Sequence, residues 1–330
     1  MSVSIVIPNF NGAHHLEKCL SSLEKSIYTD FQVVVVDNCS TDHSRKVIEN
    51  YSGSKIWVQL DQNYGFARAS NEGWKCVTTE YVMMLNNDTV VDHLCLQSLV
   101  NTLQSSSENI GGVQPLMLSL IDPQKVDDSG DELSWYGLAT KSNHGISLDE
   151  AELSASIFSP SGGATLFRRS FLEMTGGYDE HFESYLEDVD LGLRGRLMGY
   201  SFLLESKGII LHLGGGSNIK SKKYVRLMTR NRLLIFIKNI PLSLLLKHLP
   251  KIIYGQLFHF FAYHKPISSI FGLIDFLLSA SYVTRHRRLF VDEITLTNKD
   301  IDSLLSRRFP SPSLVQVVID FHYNILRGFF

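Results

Sequence analysis

SVSIVI, residues 2–7, is a short and almost continuous apolar run, and four later runs have the same character. They are VVVVD (33–37), KIWVQL (55–60), YVMMLN (81–86) and GVQPLML (112–118). Runs of this length without polar alternation are typical of strands buried on both faces. Stretches with helical spacing follow the first four runs, at 13–26, 41–51, 65–78 and 92–106. This repeated order predicts an α/β fold, with a Rossmann-like, mostly parallel sheet and helices on both faces.

The rest of the chain changes character twice. Residues 119–158 are polar and irregular, which predicts a long excursion or mobile loop rather than core. Order returns afterwards, with a strand predicted at 161–167, helices at 170–174 and 187–199, and strands at 201–205 and 208–212. Beyond Gly214, Gly215 and Gly216, residues 220–290 are typical of apolar and basic helices broken by Pro241, Pro250 and Pro266. We therefore expect an α/β domain at 1–217 and a mainly helical C-terminal region at 218–330.

Charge is distributed unevenly along the 330 residues. Residues 1–214 carry 14 Lys and Arg against 28 Asp and Glu, whereas residues 215–330 carry 17 against 6. The composition, 44% hydrophobic and 20% charged, is typical of a globular protein. Because the basic part combines its charge with long apolar runs rather than exposed stacking aromatics, nucleic acid is not expected as a partner.

Cysteine spacing and the N-terminal sequence indicate the compartment. Cys19, Cys39, Cys76 and Cys95 lack the close pairing of a zinc site or redox motif, so they are expected to be free thiols in a reducing cytosol. No basic region precedes an apolar run at the N-terminus, so no signal peptide is expected. A clean run of about 20 apolar residues is also missing, and the nearest approach, 266–284, is interrupted by Pro266, Asp275 and several serines.

Polar side chains follow four successive strands of the predicted sheet. Ligands of such sheets bind at the carboxyl ends of the strands, so these side chains are expected to line one crevice. The candidates are Pro8, Asn9, Asn11, Asp37, Asn63, Arg68, Asn87 and Asp88. Taken singly, each is equally well an ordinary turn or helix-capping residue. Because only Gly12 is present at the first exit, the three-glycine turn of an NAD-binding unit is missing, as is a phosphate-binding Gly-x-x-x-x-Gly-Lys-Ser/Thr loop.

A cation could neutralise a phosphate in the absence of such a glycine-rich loop. Asp88 offers hard oxygen ligands at a strand exit, and Mg²⁺ typically binds through one or two carboxylates plus substrate phosphates. His212 is a candidate for a further ligand, because imidazole suits Mn²⁺ and related metals. The alternative for His212 is a hydrogen-bonded histidine that closes a strand.

Three carboxylates crowd into YLEDVDLGLR, residues 185–194. If the stretch borders an anionic ligand, the like charges of Glu187 and Asp190 would raise the pKa of Asp188. A carboxylate shifted in that direction is a better general base for a hydroxyl. The alternative is a solvated helix face in which Asp190 pairs with Arg194. Both interpretations are compatible if Asp190 stabilises the helix while Asp188 acts as the general base.

At these residues the sequence resembles the inverting family 2 glycosyltransferases with the GT-A fold, and within them the bacterial rhamnosyltransferase-like branch. The resemblance covers residues 3–217. Its motifs, in the family's order and spacing, are VSIVIPNFNG, VVVVDNCSTD, NYGFARASNEG, YVMMLNNDTVV, SGGATLFRRSFLEMTGGYDEHFESYLEDVDLGLR and LHLGGGS. One such motif would be weak evidence, but six in order are specific.

The resemblance implies roles for the donor-side residues. Asp37 matches an aspartate that hydrogen-bonds the uracil or thymine ring of the donor, and the turn from Pro8 through Asn9 to Asn11 forms the other wall of the base site. Arg68, which follows Asn63 in its motif, matches a basic residue near the donor pyrophosphate.

Further roles follow for the metal and catalytic residues. Asn87 and Asp88 occupy the family's metal motif, His212 matches a late histidine that helps to hold metal or diphosphate, and Asp188 matches the catalytic base. The chain departs from many relatives in having Asn86 and Asn87 before a single Asp88, which leaves one charged ligand.

The implied function is that of an inverting, metal-dependent glycosyltransferase using Mg²⁺ or Mn²⁺. Asp188 deprotonates an acceptor hydroxyl, which displaces the nucleoside diphosphate from the anomeric carbon in a single step. Acceptor-side and supporting residues are Gly162, Gly163, Glu187 and Asp190. The favoured donor is dTDP-L-rhamnose, with UDP-hexose, UDP-GlcNAc or UDP-galactofuranose as alternatives. The expected acceptor is a glycan or lipid-linked glycan in bacterial surface polysaccharide synthesis. A non-catalytic nucleotide- or glycan-binding subunit is the rival class.

The basic C-terminal part indicates a location. KSKKYVRLMTRNRLLIFIKN (220–239) begins with a basic run and continues as a helix, and RHRR (285–288) follows an apolar stretch. Basic residues that flank apolar helices suit a membrane surface with anionic lipids. We expect a cytoplasmic protein, peripheral on the inner face of the cell membrane; the alternative is an ordinary helical subdomain or a homodimer interface.

Overall fold

The computed structural model describes residues 1–214 and 221–309, together with residues 314, 315, 317 and 318. The chain divides into two compact units. The first contains the described residues of Met1–Asp131, Lys141–Arg196 and Tyr200–Gly216, and the second contains those of Glu132–Thr140, Leu197–Gly199 and Ser217–Phe330. The predicted boundary at 217/218 and the glycines at 215 and 216 lie outside the described residues.

Most of the described strands belong to the first unit. In chain order the strands are β1 (Val3–Asn9), β2 (Phe31–Asp37), β3 (Lys55–Gln59), β4 (Tyr81–Leu85), β5 (Thr89–Val91), β6 (Ile110–Ser119), β7 (Val126–Asp128), β8 (Asp131–Leu133), β9 (Ala139–Lys141), β10 (Ser156–Ile157), β11 (Ala164–Arg168) and β12 (Ser201–His212). A ten-stranded sheet has the order β10-β12-β6-β11-β4-β1-β2-β3, with β5 paired to β12 and β7 paired to β6. Strands β8 and β9 pair separately and lie mostly in the second unit.

The sheet is mostly parallel. Strands β3, β2, β1 and β4 are parallel neighbours, and β6 and β12 are parallel to each other. Strand β11 lies between β4 and β6 and is antiparallel to both, so β6 and β12 run in the direction of β1. The register pairs Asn9 with Asp37, so β1 and β2 end side by side at one edge. The predicted fold class is confirmed.

Helices cover both faces of the sheet. Those of the first unit are α1 (Ala13–Leu23), α2 (Ser44–Asn50), α3 (Phe66–Lys75), α4 (Cys95–Ser105), α5 (Arg169–Thr175) and α6 (Glu187–Leu197). Alternate residues of β1 point to opposite faces: Ile5 and Ile7 join a core with α1, α2 and α4. Val6 joins a second core with α3, α5 and α6.

Two sequence predictions for the first unit are wrong. The polar segment 119–158 is not a mere excursion, because β7 pairs with β6 and Val126–Asp128 is buried along its whole length. The prediction was wrong because polar sequence normally indicates exposure, whereas Asp127 and Asp128 are buried with hydrogen-bond and ion-pair partners from elsewhere in the chain. The two strands predicted at 201–205 and 208–212 are one strand, β12, with an irregularity between Glu205 and Ile209.

The second unit is mainly helical. Its helices are α7 (Lys222–Asn239), α8 (Leu242–Ala262), α9 (Pro266–Leu278), α10 (Ala280–Phe290) and α11 (Asn298–Leu304). Breaks occur at Pro241 and Pro266 as predicted, but the break predicted at Pro250 is wrong, because Pro250 lies inside α8. Buried residues on both sides of it, Leu245 and Ile252 among them, hold the helix together despite the missing backbone donor.

Taken singly, no described helix is both long and apolar enough to cross a bilayer. The segments Pro266–Leu278 and Ala280–Glu293 meet at a bend of 54°, and taken as a pair they have the length and composition of a membrane span.

Helix α3 lies so close to the sheet that Gly73 has no room for a side chain. A Cβ atom there would lie 2.3 Å from Cγ1 of Val6 and 2.9 Å from Cγ2 of Val36. We expect Gly73→Ala to lower the free energy of unfolding by about 1–3 kcal/mol through overpacking, although alanine favours a helix by about 1 kcal/mol over glycine. Urea unfolding beside the partly exposed control Glu72→Ala measures this. A Gly73→Ala variant as stable as the parent would contradict it.

Candidate active site

A buried amide ties three strand ends together. Asn9, at the end of β1, donates from Nδ2 to Oδ1 of Asp37 at 3.1 Å and to Oγ of Ser44 at 2.9 Å. Its Oδ1 accepts a hydrogen bond from Nδ2 of Asn87 at 2.8 Å. The predicted residues Asn9, Asp37 and Asn87 are therefore brought together, and Asn9 is the link between the exits of β1, β2 and β4.

Asp37 is only 1% exposed, and both of its carboxylate oxygens accept hydrogen bonds. Its Oδ2 receives the backbone N–H of Ser40 at 2.8 Å and Nε2 of Gln59 at 2.9 Å. The carboxylate therefore shapes the loop that follows β2. Asn11 holds the same loop from the other side, since its Oδ1 accepts from the backbone N–H of Thr41 at 2.8 Å.

The turn after β1 is exposed where it meets this loop. Asn11 is exposed and has a φ of +49°, a left-handed conformation that asparagine tolerates better than most residues. Pro8 lies in β1 and is half-buried. The two turns together present a polar surface at the edge of the sheet, as the sequence predicts.

Asn63 lies just before α3 and Arg68 lies in its first turn. The contacts described for these two side chains are with residues other than Asn9, Asp37 and Asn87. Asn63 accepts a hydrogen bond from the backbone N–H of Gly65 at 3.0 Å. The guanidinium of Arg68 stacks over the ring of Tyr64 at 3.8 Å, and its Nε lies 3.6 Å from Oε1 of Glu72. The side chain is 40% exposed, so its charge is accessible to a ligand.

His212 bridges two carboxylates. Its Nε2 lies 3.3 Å from Oδ1 of Asp88, and its Nδ1 lies 2.8 Å from Oδ2 of Asp127. The pairing of β12 with β5 sets His212 opposite Thr89, next to Asp88 in the chain. Lys141 completes the group with its Nζ 2.8 Å from Oδ2 of Asp127. Asp88 and His212 were predicted from the sequence, whereas Asp127 and Lys141 were missed.

The electrostatics of this group are strongly coupled. Burial acts to lower the pKa of His212, but the hydrogen bonds to Asp127 and Asp88 outweigh it and raise the pKa to about 9. Burial likewise opposes the ionisation of Asp127, yet His212 and Lys141 lower its pKa to about 2. The pKa of Asp88 is also lowered, because its bond to His212 outweighs its burial. At neutral pH the imidazole is thus a cation between two anions.

The chemistry of Asp88 and His212 fits a divalent metal ion whose remaining ligands come from substrate. Within the part of the chain that the structure describes, no group of three or more His, Cys, Asp or Glu could hold a metal ion. Asp88 and His212 would be two adjacent ligands once a metal displaced the proton from Nε2, and Asp127 orients the imidazole through Nδ1. Metal-binding histidines usually have such a carboxylate on the second nitrogen, and Mg²⁺ commonly takes its remaining ligands from phosphates and water.

Asp188 is the second residue of α6 and is held by two backbone amides. Its Oδ2 accepts from the N–H of Gly162 at 2.9 Å, and its Oδ1 accepts from the N–H of Val189 at 2.8 Å. A Cβ on Gly162 would lie 3.1 Å from that Oδ2, so the glycine makes room for the carboxylate. Gly163 accepts from the backbone N–H of Asn86 at 2.9 Å. The Gly162–Gly163 pair thus connects Asp188 with the exit of β4.

Burial is the main reason that the pKa of Asp188 is raised. The two amide hydrogen bonds oppose it, and the charge of Asp128 adds to it. The direction is the one predicted from the sequence, but the predicted cause is wrong: the charge that adds to burial is that of Asp128, on β7, rather than those of Glu187 and Asp190. Glu187 is itself buried, and its pKa is raised well above the usual range by burial and by the charges of Asp188 and Asp190.

Three buried polar atoms near Asp188 lack a hydrogen-bond partner among the described residues. They are Oε2 of Glu187, the hydroxyl of Tyr178 and Oδ2 of Asp128. Burial has the largest effect on the pKa of Tyr178 and raises it, and the charge of Asp188 raises it further. The phenol is therefore within electrostatic reach of the carboxylate. Unsatisfied buried groups are rare in folded proteins and commonly mark a ligand or water position.

Asp190 has a different environment. It is fully buried, and Oδ2 accepts from Nε of Arg194 at 2.8 Å. Arg194 also donates to the carbonyls of Thr175 at 2.6 Å and Gly177 at 2.7 Å. The predicted pairing of Asp190 with Arg194 is present, but it is buried rather than solvated, and it anchors the turn after α5.

Strand β6 and the segment after it supply residues that were not predicted from the sequence. Gln114, on β6, is buried, accepts from the backbone N–H of Ser161 at 2.7 Å and donates to Oδ1 of Asp128 at 3.1 Å. The pattern VDDSGD, residues 126–131, was a signal for the carboxylates, because it sets three of them within five positions of the chain. Asp131 ends the cluster, with a pKa raised well above its usual range by burial and by Asp128.

Comparisons with known proteins identify the family of the chain. The model of the Glycosyl transferase family 2 matches residues 4–175. An uncharacterized glycosyltransferase of Nostoc sp. is 34% identical over 109 residues, which cover 32% of this chain and 34% of that protein. The poly-beta-1,6-N-acetyl-D-glucosamine synthase of Staphylococcus epidermidis is 24% identical over 209 residues, covering 63% of this chain and 48% of that protein. The match thus spans less than half the length of each relative.

A solved structure shares the fold. The crystal structure of GalNAc-T7 with UDP, GalNAc and Mn²⁺ has a TM-score of 0.62 at 16% identity, over 92% of this chain and 57% of that chain. Because the family model matches more than half of its residues, the chain belongs to glycosyl transferase family 2. The predicted family and the GT-A fold are confirmed. The glycosyltransferase activity of this chain, the rhamnosyltransferase-like branch and the individual site roles stay predictions.

Arg194→Met tests the buried pair. The variant leaves Asp190 buried without its cation and frees two carbonyls of the turn after α5, so we expect the free energy of unfolding to fall by about 3–5 kcal/mol. Urea unfolding measures this beside Arg196→Met, since Arg196 is half-buried and donates only to Oγ of Ser201 among its described hydrogen bonds. An equal, small loss for both variants would mean that the pair contributes little.

Proposed function

We propose that the protein transfers a sugar from a nucleoside diphosphate to an acceptor hydroxyl with inversion, using Asp188 as the general base. One observation carries the proposal: a half-buried carboxylate with a raised pKa sits among unsatisfied polar atoms and is joined through Gly162 and Gly163 to the exit of β4. Family membership supports it.

Asp188 has the properties that such a base needs. Each carboxylate oxygen accepts one backbone hydrogen bond, which leaves further lone pairs for an acceptor hydroxyl. Burial raises its pKa, so it takes a proton more readily than a solvated aspartate does. As the proton moves to Asp188, the acceptor oxygen forms a bond to the anomeric carbon, and the bond from that carbon to the diphosphate oxygen breaks. A single displacement from the opposite face inverts the anomeric centre.

Asp88 and His212 would hold Mg²⁺ or Mn²⁺, with Asp127 keeping the imidazole in place through Nδ1. A divalent ion bound there supplies positive charge that stabilises the leaving diphosphate. The presence of Mn²⁺ in the GalNAc-T7 crystal structure supports this assignment. Asn87 is committed to Asn9 through its amide, so we assign it to shaping the site rather than to the ion.

The donor is proposed to bind along the exits of β1, β2 and β4. Asn11 and the loop after β2 would receive the nucleobase, while Asp37, being buried, would hold that loop through Ser40. Arg68 carries an accessible charge suited to the pyrophosphate. The UDP in the GalNAc-T7 crystal structure supports a UDP-sugar. None of the relatives named above supports dTDP-L-rhamnose, which stays a sequence prediction.

The acceptor is proposed to be a hydroxyl of a glycan or lipid-linked glycan in bacterial surface polysaccharide synthesis. The relative from Staphylococcus epidermidis, a poly-beta-1,6-N-acetyl-D-glucosamine synthase by name, supports a polysaccharide role. The cytoplasmic location expected from the sequence stays a prediction.

A thermal-shift experiment tests the donor and the metal. We expect one of UDP-GlcNAc, UDP-glucose, UDP-galactofuranose or dTDP-L-rhamnose to raise Tm by several degrees in the presence of Mn²⁺ and less in its absence. Stabilisation by no nucleotide sugar would favour the non-catalytic interpretation, to which the single carboxylate Asp88 also points.

A calorimetric titration tests the metal site. When Mn²⁺ is titrated into the protein with UDP, we expect the affinity for Mn²⁺ to be about 10–100-fold lower in Asp127→Asn than in the parent. Asp122→Asn, on the same segment, is the control.

Asp188→Asn separates chemistry from binding. Because Asp188 is the proposed base and not a donor ligand, we expect kcat to fall by about 10²–10⁴ with donor affinity nearly unchanged. Release of the nucleoside diphosphate measures turnover, calorimetry measures affinity, and NMR of the product reports the anomeric configuration. Asp149→Asn, a change at an exposed carboxylate, should leave all three unchanged. Donor affinity that falls together with turnover would instead indicate a structural role for Asp188.

A further inference from the structure

Helix α8 exposes a stripe of large aliphatic side chains. Its members are Leu242, Leu246, Leu249, Ile253 and Leu257, each between 43% and 63% exposed. They are spaced by three or four residues, so they share one face of the helix. The opposite side supplies the residues that α8 buries, among them Leu244, Leu245 and Ile252. The stripe is therefore additional to the part of α8 that packs within the unit.

Helix α9 buries small and polar residues and exposes large apolar ones, which is the reverse of the usual arrangement. Its buried residues are Ser268, Ser269 and Gly272, and a Cβ on Gly272 would lie 2.4 Å from the carbonyl oxygen of Arg226. Small and polar residues thus pack against α7. Large apolar residues, between 43% and 77% exposed, occupy the outer face: Ile267, Ile270, Phe271, Ile274, Leu277 and Leu278. Water is a poor environment for such a face, and a contiguous exposed apolar patch commonly marks an interaction surface.

Charge on these helices and on α10 favours one occupant. Residues 242–290, which contain α8, α9 and α10, carry six Lys and Arg but a single carboxylate, Asp275, which is bonded to Arg226. Arg285 and Arg288 on α10 are exposed. A basic surface with an apolar face suits an anionic bilayer. A symmetric pair of copies would set two basic surfaces against each other, which disfavours self-association.

Three of the basic residues of α7 do not contribute to this surface. Arg230, Arg232 and Lys238 are buried within the second unit, whereas Lys222, Lys223 and Arg226 are exposed. The membrane expectation from the sequence rested partly on the three buried residues, whereas the exposed apolar faces lie on α8 and α9.

We propose that the outer faces of α8 and α9 lie in the interfacial layer of an anionic lipid bilayer, with Arg285 and Arg288 contacting its headgroups. The surface belongs to the second unit and its evidence is independent of the proposed catalysis. A failure of one proposal therefore leaves the other standing.

Vesicle co-sedimentation of the full chain tests the proposal. The probes are vesicles of phosphatidylcholine alone and vesicles with about 30% phosphatidylglycerol, a typical anionic composition. We expect the parent to bind the anionic vesicles more tightly and Ile270→Ser/Ile274→Ser to weaken binding by about tenfold or more. Arg285→Gln/Arg288→Gln should reduce the preference for anionic lipid and its sensitivity to salt.

Matched controls keep the test specific. Ile121→Ser/Met174→Ser replaces two exposed apolar residues of the first unit, and it should bind vesicles as the parent does. Circular dichroism and the nucleotide-dependent rise in Tm show whether each variant is folded. Absence of vesicle binding by the parent, or equal binding by all variants, would overturn the proposal. So would a parent dimer, measured by light scattering, that Ile270→Ser/Ile274→Ser converts to a monomer, because the face would then bind a second copy.

Discussion

The hydrogen bonds of the Asn9 amide are the interaction on which the candidate site depends. A buried amide must satisfy both its donors and its acceptor, and each partner here comes from a different part of the chain: Asp37, Ser44 and Asn87. Loss of the Asn9 amide would remove all three hydrogen bonds at once in a low-dielectric interior. The crevice at the sheet edge is thus organised by the sheet itself, before any ligand is present, which is how a site avoids reorganising during reaction.

The sequence predicted the first half of the fold because its physical signal is local. Strands β1, β2 and β4 are buried on both faces, so their apolar runs are unbroken, and the polar residues that end them lie at one edge of a parallel sheet. Asp37 and Asp88 were predicted as site residues in this way. The bulged strand β12 was divided in two because its polar residues, Glu205 to Lys207, interrupt the pattern without ending the strand.

Long-range compensation explains what the sequence could not predict. Asp127 and Asp128 lie in a polar stretch, and polarity normally indicates exposure. They are buried because Lys141, Gln114 and His212 neutralise or bond them, and His212 is 85 residues away. Similarly, the order of Glu187, Asp188 and Asp190 in the chain does not reveal that Asp190 is bound to Arg194 while Asp188 faces Gly162. These distinctions depend on which side of α6 the core covers.

The inverted polarity of α9 has a thermodynamic consequence for the folded chain. Folding leaves Ile270, Phe271 and Leu277 in water while it buries Ser269 and Gly272, so the hydrophobic driving force for this helix is only partly used. Any surface that covers these side chains in the folded chain and not in the unfolded one shifts the folding equilibrium by mass action. The second unit would then owe part of its stability to its surroundings, and the value measured in dilute buffer would be a lower bound.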